Sequence, residues 1–207
     1  MNRSVCALVS GGLDSCVMLA ELAKRYRPVF PVYNRQGLVW EVPELKALRR
    51  FLRAAKLKRV RPLTILELPA DDIYGRHWSV TGQHAPGATS PDEAVYLPGR
   101  NLMLLSKAAV FCALHKIPVI AVGSLSGNPF PDATPAFFRN LAMTAGQALD
   151  FRFRIVAPFR QLTKLQVVRR GRGLPLHLSF CCIAPRRGRA CGHCNKCAER
   201  QLAGIHA

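Results

Sequence analysis

Two short stretches concentrate the residue types that do chemistry. The first is LVSGGLDS, residues 8–15, where two glycines and two serines surround Asp14 between an apolar run and a helix-like segment. Gly11 and Gly12 carry no Cβ, so backbone N–H groups there can come close to an anion at the start of the following helix. Ser10 and Ser15 add hydroxyl donors for phosphate oxygens. Asp14 repels a phosphate unless a cation lies between them, which suits it to Mg2+ ligation or to capping the helix. Neither GxxxxGK[ST] nor GxGxxG is present, so the turn is not one of the two commonest phosphate-binding patterns.

The second stretch is CCIAPRRGRACGHCNKC, residues 181–197. Cys191, Cys194 and Cys197 form two overlapping CxxC steps, and Cys182 precedes them. Four thiolates in one local knot match a tetrahedral structural zinc, and the cationic neighbours favour thiolate formation. A redox pair of Cys191 and Cys194 and an iron–sulfur cluster are the alternatives. Cys181 is expected to turn away from an ion held by its neighbour, and His193 to lie in solvent within the knuckle. Cys6, Cys16 and Cys112 stand singly in apolar surroundings. Such crowding of thiols in one segment fits a metal in a reducing compartment better than disulfides.

These residues need a scaffold, and the chain supplies a regular one. Apolar runs at 4–9, 28–33, 63–68, 117–123 and 153–158 read as strands. Between them lie helix-like segments at 14–26, 44–55, 100–116 and 135–149, the second with Leu45, Leu48, Leu52 and Ala55 on one face. Strands alternating with helices predict right-handed crossovers and an α/β, doubly wound, mainly parallel sheet. In that architecture ligands bind beyond the carboxyl ends of strands, where LVSGGLDS falls. Residues 69–99, rich in Gly, Pro and His, form a connection long enough to be a functional loop or lid. The expected division is a nucleotide-binding body, 1–170, and a C-terminal metal-binding segment, 171–207.

The chain has 207 residues, 49% of them hydrophobic, enough for one core with a small appendage. No apolar run approaches the ~18 residues of a membrane helix, and glycine and aspartate interrupt the opening residues too early for a secretory segment. A cytoplasmic protein without membrane contact is expected. The formal charge is +18, and from residue 151 onward Glu199 is the only acidic residue among many arginines. Such a basic half suits nucleic acid or polyphosphate.

The order SGG-x-DS resembles the PP-loop of ATP pyrophosphatases, which cut ATP between its α and β phosphates and transfer AMP to an oxygen of the substrate. Taken together, LVSGGLDSCVML, LPGRNLMLLSKAA, GSLSGNPFPDATPAFF, and LTKLQVVRRGRGLPLHLSFCC followed by CGHCNKCAERQ resemble the 7-cyano-7-deazaguanine synthase family. The resemblance implies an adenine nucleotide alpha hydrolase-like fold with a small zinc-binding tail. It implies ATP lying along Val9, Ser10, Gly11, Gly12, Leu13, Asp14, Ser15, Cys16, Val17, Met18 and Leu19, with Mg2+. Asp14 and Ser15 would act at the phosphates, Arg100 and Asn101 at phosphates or the substrate carboxylate, Asp132 at the base or Mg2+, and Lys164 at phosphate charge. Zn2+ would be held by Cys182, Cys191, Cys194 and Cys197. The implied reaction joins ammonia to 7-carboxy-7-deazaguanine through an adenylate, giving an amide and then, with a second ATP, a nitrile. A homodimer acting on this small molecule is the expected form. Two blocks depart from the family pattern. Gln36 is followed by Gly37 where a Gln-Arg-His type block is usual, and Ala133 and Thr134 follow Pro131 and Asp132 where Cys and Arg are usual. Both lie where the base or a partner would bind. An amide or nitrile synthase acting on a different acid, a tRNA-modifying PP-loop enzyme delivering sulfur, and a nucleotide-binding module without turnover are the other readings.

Overall fold

A computed structural model describes residues 3–205; the outermost residues of the two expected segments, 1–2 and 206–207, lie outside that range. Five strands, β1 (Val5–Leu8), β2 (Val29–Arg35), β3 (Thr64–Glu67), β4 (Val119–Ala121) and β5 (Arg154–Val156), form one sheet in the order β3-β2-β1-β4-β5. Every pairing is parallel. The helices are α1 (Leu13–Arg25), α2 (Glu41–Ala55), the short α3 (Asp71–Tyr74) and α4 (Trp78–Thr81), α5 (Arg100–Leu114), α6 (Pro135–Ala148), α7 (Lys164–Arg170) and α8 (Asn195–Leu202). All five expected strands and all four expected helices are present. Four of the strands are shorter than expected, as where Gly123 turns to line the crevice beyond β4, whereas β2 runs two residues further, to Arg35.

The sheet is buried on both faces. Along β1, Val5 and Ala7 pack into a cluster with α1, α2 and α7, through residues such as Val17, Leu48 and Val167. Cys6 packs to the other side, with Leu105 and Cys112 of α5 and Phe138 of α6. That two-sided burial is why the strands read as continuous apolar runs. The buried face of α2 is set by Glu44, Ala47, Leu48 and Phe51, rotated from the expected stripe. Of that stripe only Leu48 is fully buried, while Leu45, Leu52 and Ala55 are half-buried against the same core.

Strand order reverses between β1 and β4, which opens a crevice at their carboxyl ends. Residues 69–99 are not an unstructured loop. They carry α3, α4 and a 3-10 turn at Asp92–Val95, and they join the C-terminal segment in a third apolar cluster. That cluster contains Leu38, Trp40, Leu97, Cys182, Ile183, Cys194 and Cys197, with Trp78 packed against it. Trp40 and Trp78 stack with ring centroids 5.8 Å apart. The two segments that interrupt the strand–helix rhythm therefore cover each other's apolar side chains.

Candidate active site and metal centre

The loop after β1 is held in shape by its own serines. The Ser15 hydroxyl accepts from the N–H groups of Ser10 (3.2 Å) and Gly11 (3.1 Å) and donates to the Gly12 carbonyl (3.0 Å). The Gly12 N–H donates to Ser10 Oγ at 3.2 Å. Gly11 sits at φ +88, and a Cβ there would stand 2.9 Å from the Glu44 carbonyl oxygen and 3.0 Å from Leu48 Cβ. The loop thus rests directly on α2, which only glycine permits. From the far end of the chain, the Phe180 N–H donates to the Gly11 carbonyl at 2.9 Å.

Asp14 opens α1 and faces the crevice. One carboxylate oxygen, Oδ2, takes the Lys164 ammonium, and Lys164 also contacts Glu199 at 3.1 Å. Burial alone would lower the Lys164 pKa, but the Asp14 and Glu199 carboxylates outweigh it and raise it, so the side chain is a permanent cation. Lys164 is the first residue of α7, fixed by a capping box in which Thr163 and Gln166 serve each other's N–H groups. The second Asp14 oxygen, Oδ1, is buried without a partner.

Two adjoining cavities open on this loop. The first, about 280 Å³, is lined by Ser10, Gly12, Asp14, Ser15, Arg100 and Asp132, among others. Arg100 starts α5; its Nε donates to Gln36 Oε1 at 2.9 Å, and its guanidinium lies over the Trp40 ring at 5.8 Å. Asp132 is buried and accepts from the Asn101 N–H (2.9 Å) and Nδ2 (3.2 Å). Tyr96 and Phe130 stack on the cavity wall with centroids 5.0 Å apart. Asp14 Oδ1, Asn34 Oδ1 and Ser124 Oγ, all on residues lining this cavity, are buried and unpartnered. Buried polar atoms in native proteins are otherwise almost always satisfied, so three orphans around one cavity mark a place where a polar ligand completes the bonding. The second cavity, about 480 Å³, adds Lys164, Lys196, Glu199 and Cys181.

Of the sequence-derived residues, Asp14, Ser15, Arg100 and Asp132 meet at the first cavity and Asp14 and Lys164 at the second. Within the run 9–19, Val9, Ser10, Gly12, Leu13, Asp14 and Ser15 line these cavities. Cys16, Val17, Met18 and Leu19 are fully buried and pack in the core beneath. Three residues absent from the sequence reading also belong to the site. Glu44 and Tyr33 line the first cavity, and Glu199 bridges Lys164 to Lys196, which it contacts at 3.1 Å. The signal for Glu44 was its place four residues before Leu48, a carboxylate on the buried stripe of an amphipathic helix.

Cys182, Cys191, Cys194 and Cys197 present four sulfur atoms all within 4.8 Å of one another. Cys191 and Cys197 lie 4.0 Å apart, and Cys194 and Cys182 lie 3.9 Å apart. A tetrahedral ion with metal–sulfur bonds of about 2.3 Å needs sulfur separations of about 3.8 Å, so the four residues fit one metal ion. Cys181 turns away toward the nucleotide loop, its sulfur 3.9 Å from where a Cβ on Gly12 would stand. His193 is exposed and its Nδ1 pairs with the Cys191 carbonyl at 2.8 Å. The cluster is fastened to residues 86–92. The Asn195 N–H donates to the Pro86 carbonyl at 3.0 Å, Asn195 Nδ2 to the Ser90 carbonyl at 2.8 Å, and Lys196 reaches Asp92 at 3.4 Å.

The family model for queuosine biosynthesis protein QueC matches residues 4–206 of this chain. The 7-cyano-7-deazaguanine synthase 1 of Desulfitobacterium hafniense (strain Y51) is 31% identical over 207 residues, covering 98% of this chain and 91% of that protein. The 7-cyano-7-deazaguanine synthase of Syntrophobacter fumaroxidans is 33% identical over 228 residues, covering 100% of this chain and 93% of that protein. Among solved structures, the U34-tRNA thiolase NcsA from Methanococcus maripaludis, with its [4Fe-4S] cluster, superposes with a TM-score of 0.53 at 14% identity over 99% of this chain and 65% of that one. The NMN synthetase from Francisella tularensis does so with a TM-score of 0.51 at 14% identity over 100% of this chain and 79% of that one. At that identity the two likenesses speak for the fold.

Proposed function

The chain belongs to the family of queuosine biosynthesis protein QueC, and from that premise we propose that it is an ATP-dependent nitrile synthase converting 7-carboxy-7-deazaguanine and ammonia to 7-cyano-7-deazaguanine. The observation that carries the reading is the meeting of the SGGLDS loop, Arg100, Asp132 and Lys164 around two joined cavities at the switch point of the sheet. ATP lies along the loop from Val9 to Ser15, touching Ser10, Gly12, Asp14 and Ser15, while the buried residues 16–19 expected from the resemblance support the loop from the core and do not meet the nucleotide. The Ser10 and Ser15 hydroxyls and the loop N–H groups hold the departing pyrophosphate. Lys164, a cation at every working pH, balances the charge that develops there. Asp14, with its orphaned oxygen, holds Mg2+, which neutralises phosphate charge when bound. Arg100 meets the substrate carboxylate and directs its oxygen to the α-phosphate, while Asp132, oriented by Asn101, accepts hydrogen bonds from the base.

Cys182, Cys191, Cys194 and Cys197 hold one Zn2+ with a structural role. All four ligand positions are protein thiolates, which leaves no open position for substrate. The body, 1–170, and the metal-binding segment, 171–207, form one working site, because Lys164 and Phe180 reach the loop from the two sides of that division and Glu199 pairs with Lys164 across it. Among the described residues no helix is long and apolar enough to cross a membrane. The protein works in the cytoplasm, where thiols stay available to metal. Exposed Leu102, Val110 and Leu114 on α5 and Met143 on α6 give a face suited to a second copy in a homodimer.

Incubation with ATP, Mg2+, an ammonium salt and 7-carboxy-7-deazaguanine is expected to give first the amide and then the nitrile by mass spectrometry, with AMP and pyrophosphate as co-products. ADP as the main nucleotide product, or tRNA modification with neither amide nor nitrile formed, would overturn the assignment.

A further inference from the structure

The two cavities share a wall formed by Ser10, Gly12, Asp14, Glu44, Arg100 and Gly123. Asp14 and Glu44 are the carboxylates on it. Asp14 is engaged by Lys164. Glu44 has no cation within ion-pair distance among the described residues, and its one hydrogen bond comes from the Tyr33 phenol to Oε2 at 2.8 Å. A carboxylate beside a polyphosphate site weakens anion binding, so its presence at the junction calls for a task that needs a negative charge or a proton acceptor. The proposed reaction has such a task. Ammonia is mostly ammonium at neutral pH, and ammonium has no lone pair with which to attack.

We infer that Glu44, held by Tyr33, is the proton acceptor for the nitrogen nucleophile, a catalytic residue of the ammonia-dependent half of the reaction; the inference rests on the synthase reading given above. In the first stage Glu44, in its ionised form, takes one proton from ammonium, releasing ammonia beside the acyl-adenylate, and passes that proton to solvent before the second stage. The ammonia lone pair forms the C–N bond, the C–O bond to AMP breaks, AMP leaves with its electron pair, and the extra proton on nitrogen goes to solvent. In the second stage the amide oxygen attacks the α-phosphorus of another ATP and pyrophosphate leaves. The resulting imidate loses its two N–H protons, one to Glu44 and the other to solvent, as the C–O bond breaks, AMP departs with its electron pair and C≡N forms.

The electrostatics of the junction agree with that role. Burial pushes the Glu44 carboxyl up to about 8, against the pull of Arg100 on α5 and of the Tyr33 hydrogen bond from β2, with Glu41 adding to the rise. Cys16 on α1 also faces it, and Asp14 shares its wall. A base that gains and loses its proton near the working pH is the efficient one.

Three assays on the metal-loaded full chain test the inference. Exchange of labelled pyrophosphate into ATP, dependent on the acid, reports adenylation alone. Amide formation from ammonium requires the proton acceptor. Hydroxamate formation from hydroxylamine, which is neutral at pH 7, does not. E44Q is expected to keep exchange within about threefold, to lose about 10²-fold or more in amide formation, the scale of general-base catalysis, and to retain most of the hydroxylamine reaction. Equal loss in all three assays, or undiminished amide formation, would overturn the role. Should E44Q fail to fold, Y33F decides instead: losing the hydrogen bond that favours the carboxylate moves the midpoint of the amide-forming pH profile above about 8, and an unmoved midpoint refutes the inference. If the wild-type chain shows exchange with another acid but none with 7-carboxy-7-deazaguanine, the substrate assignment falls, and the same comparison with that acid still decides Glu44.

Discussion

Replacing Glu44 with Gln should stabilise the protein, and increasingly so as the pH rises. The carboxyl is buried at 8% exposure and holds its proton up to about pH 8 in the folded chain, against an ordinary value of 4.5 for a free glutamate. Below pH 4.5 both states carry the proton, and the contribution of this group to stability is fully present. Above it the unfolded chain loses the proton while the folded chain keeps it, so stability falls by about 1.4 kcal/mol per pH unit until the folded carboxyl also ionises near 8. Between pH 6 and pH 8 the wild type should therefore lose about 2 to 3 kcal/mol that E44Q, with no proton to release, does not lose. Urea denaturation of metal-loaded wild type and E44Q at half-unit steps from pH 6 to pH 9 measures this, because groups common to both proteins cancel in the difference. The E44Q advantage should grow through the interval and level off above about pH 8. A difference that stays constant within about 0.5 kcal/mol would refute the argument, since Glu44 would then be ionised in the fold throughout.

Gly11→Ala combines a left-handed backbone with a Cβ 2.9 Å from the Glu44 carbonyl oxygen; it should cost about 2 to 5 kcal/mol, read as a fall in melting temperature. Lys164→Ala removes the cation paired with Asp14 and should slow acid-dependent pyrophosphate exchange by about 10²-fold, whereas a change under about threefold would remove Lys164 from the phosphate site. Cys194→Ser takes away one of four clustered thiols; metal content by elemental analysis should fall from one ion per chain to none. Because binding energy at such centres is folding energy, the same variant should become protease-sensitive within 84–97 as well as 180–205, since Asn195 ties the cluster to Pro86 and Ser90.

The fold was readable because its determinants are local. The central strands are short apolar runs buried on both sides, and each long helix has a periodic stripe bounded by signals such as Thr134 before Pro135, which caps α6. The four clustered cysteines were readable from spacing, because three of them lie within seven residues. What escaped the sequence are contacts between positions far apart. Nothing near Asp14 announces Lys164, and nothing in 69–99 announces that Pro86 and Ser90 bond to Asn195. Glu44 escaped for another reason. In an amphipathic pattern a glutamate beside a proline near a helix start is expected at the surface as a favourable N-terminal charge, which outweighs the hint of its spacing from Leu48; its burial and the Tyr33 hydrogen bond show that it faces inward.

The nucleotide loop belongs to the first helix, yet its Gly11 carbonyl is held by Phe180 and its Asp14 by Lys164. On the ribosome the loop emerges long before either partner: its own serines hold its turn, and the contacts from Phe180 and Lys164 are added only when those residues have been made. A nascent or broken chain that stops short of Phe180 can assemble the five strands, as domains fold from the N-terminus during synthesis, but it lacks the closing contacts on the phosphate site.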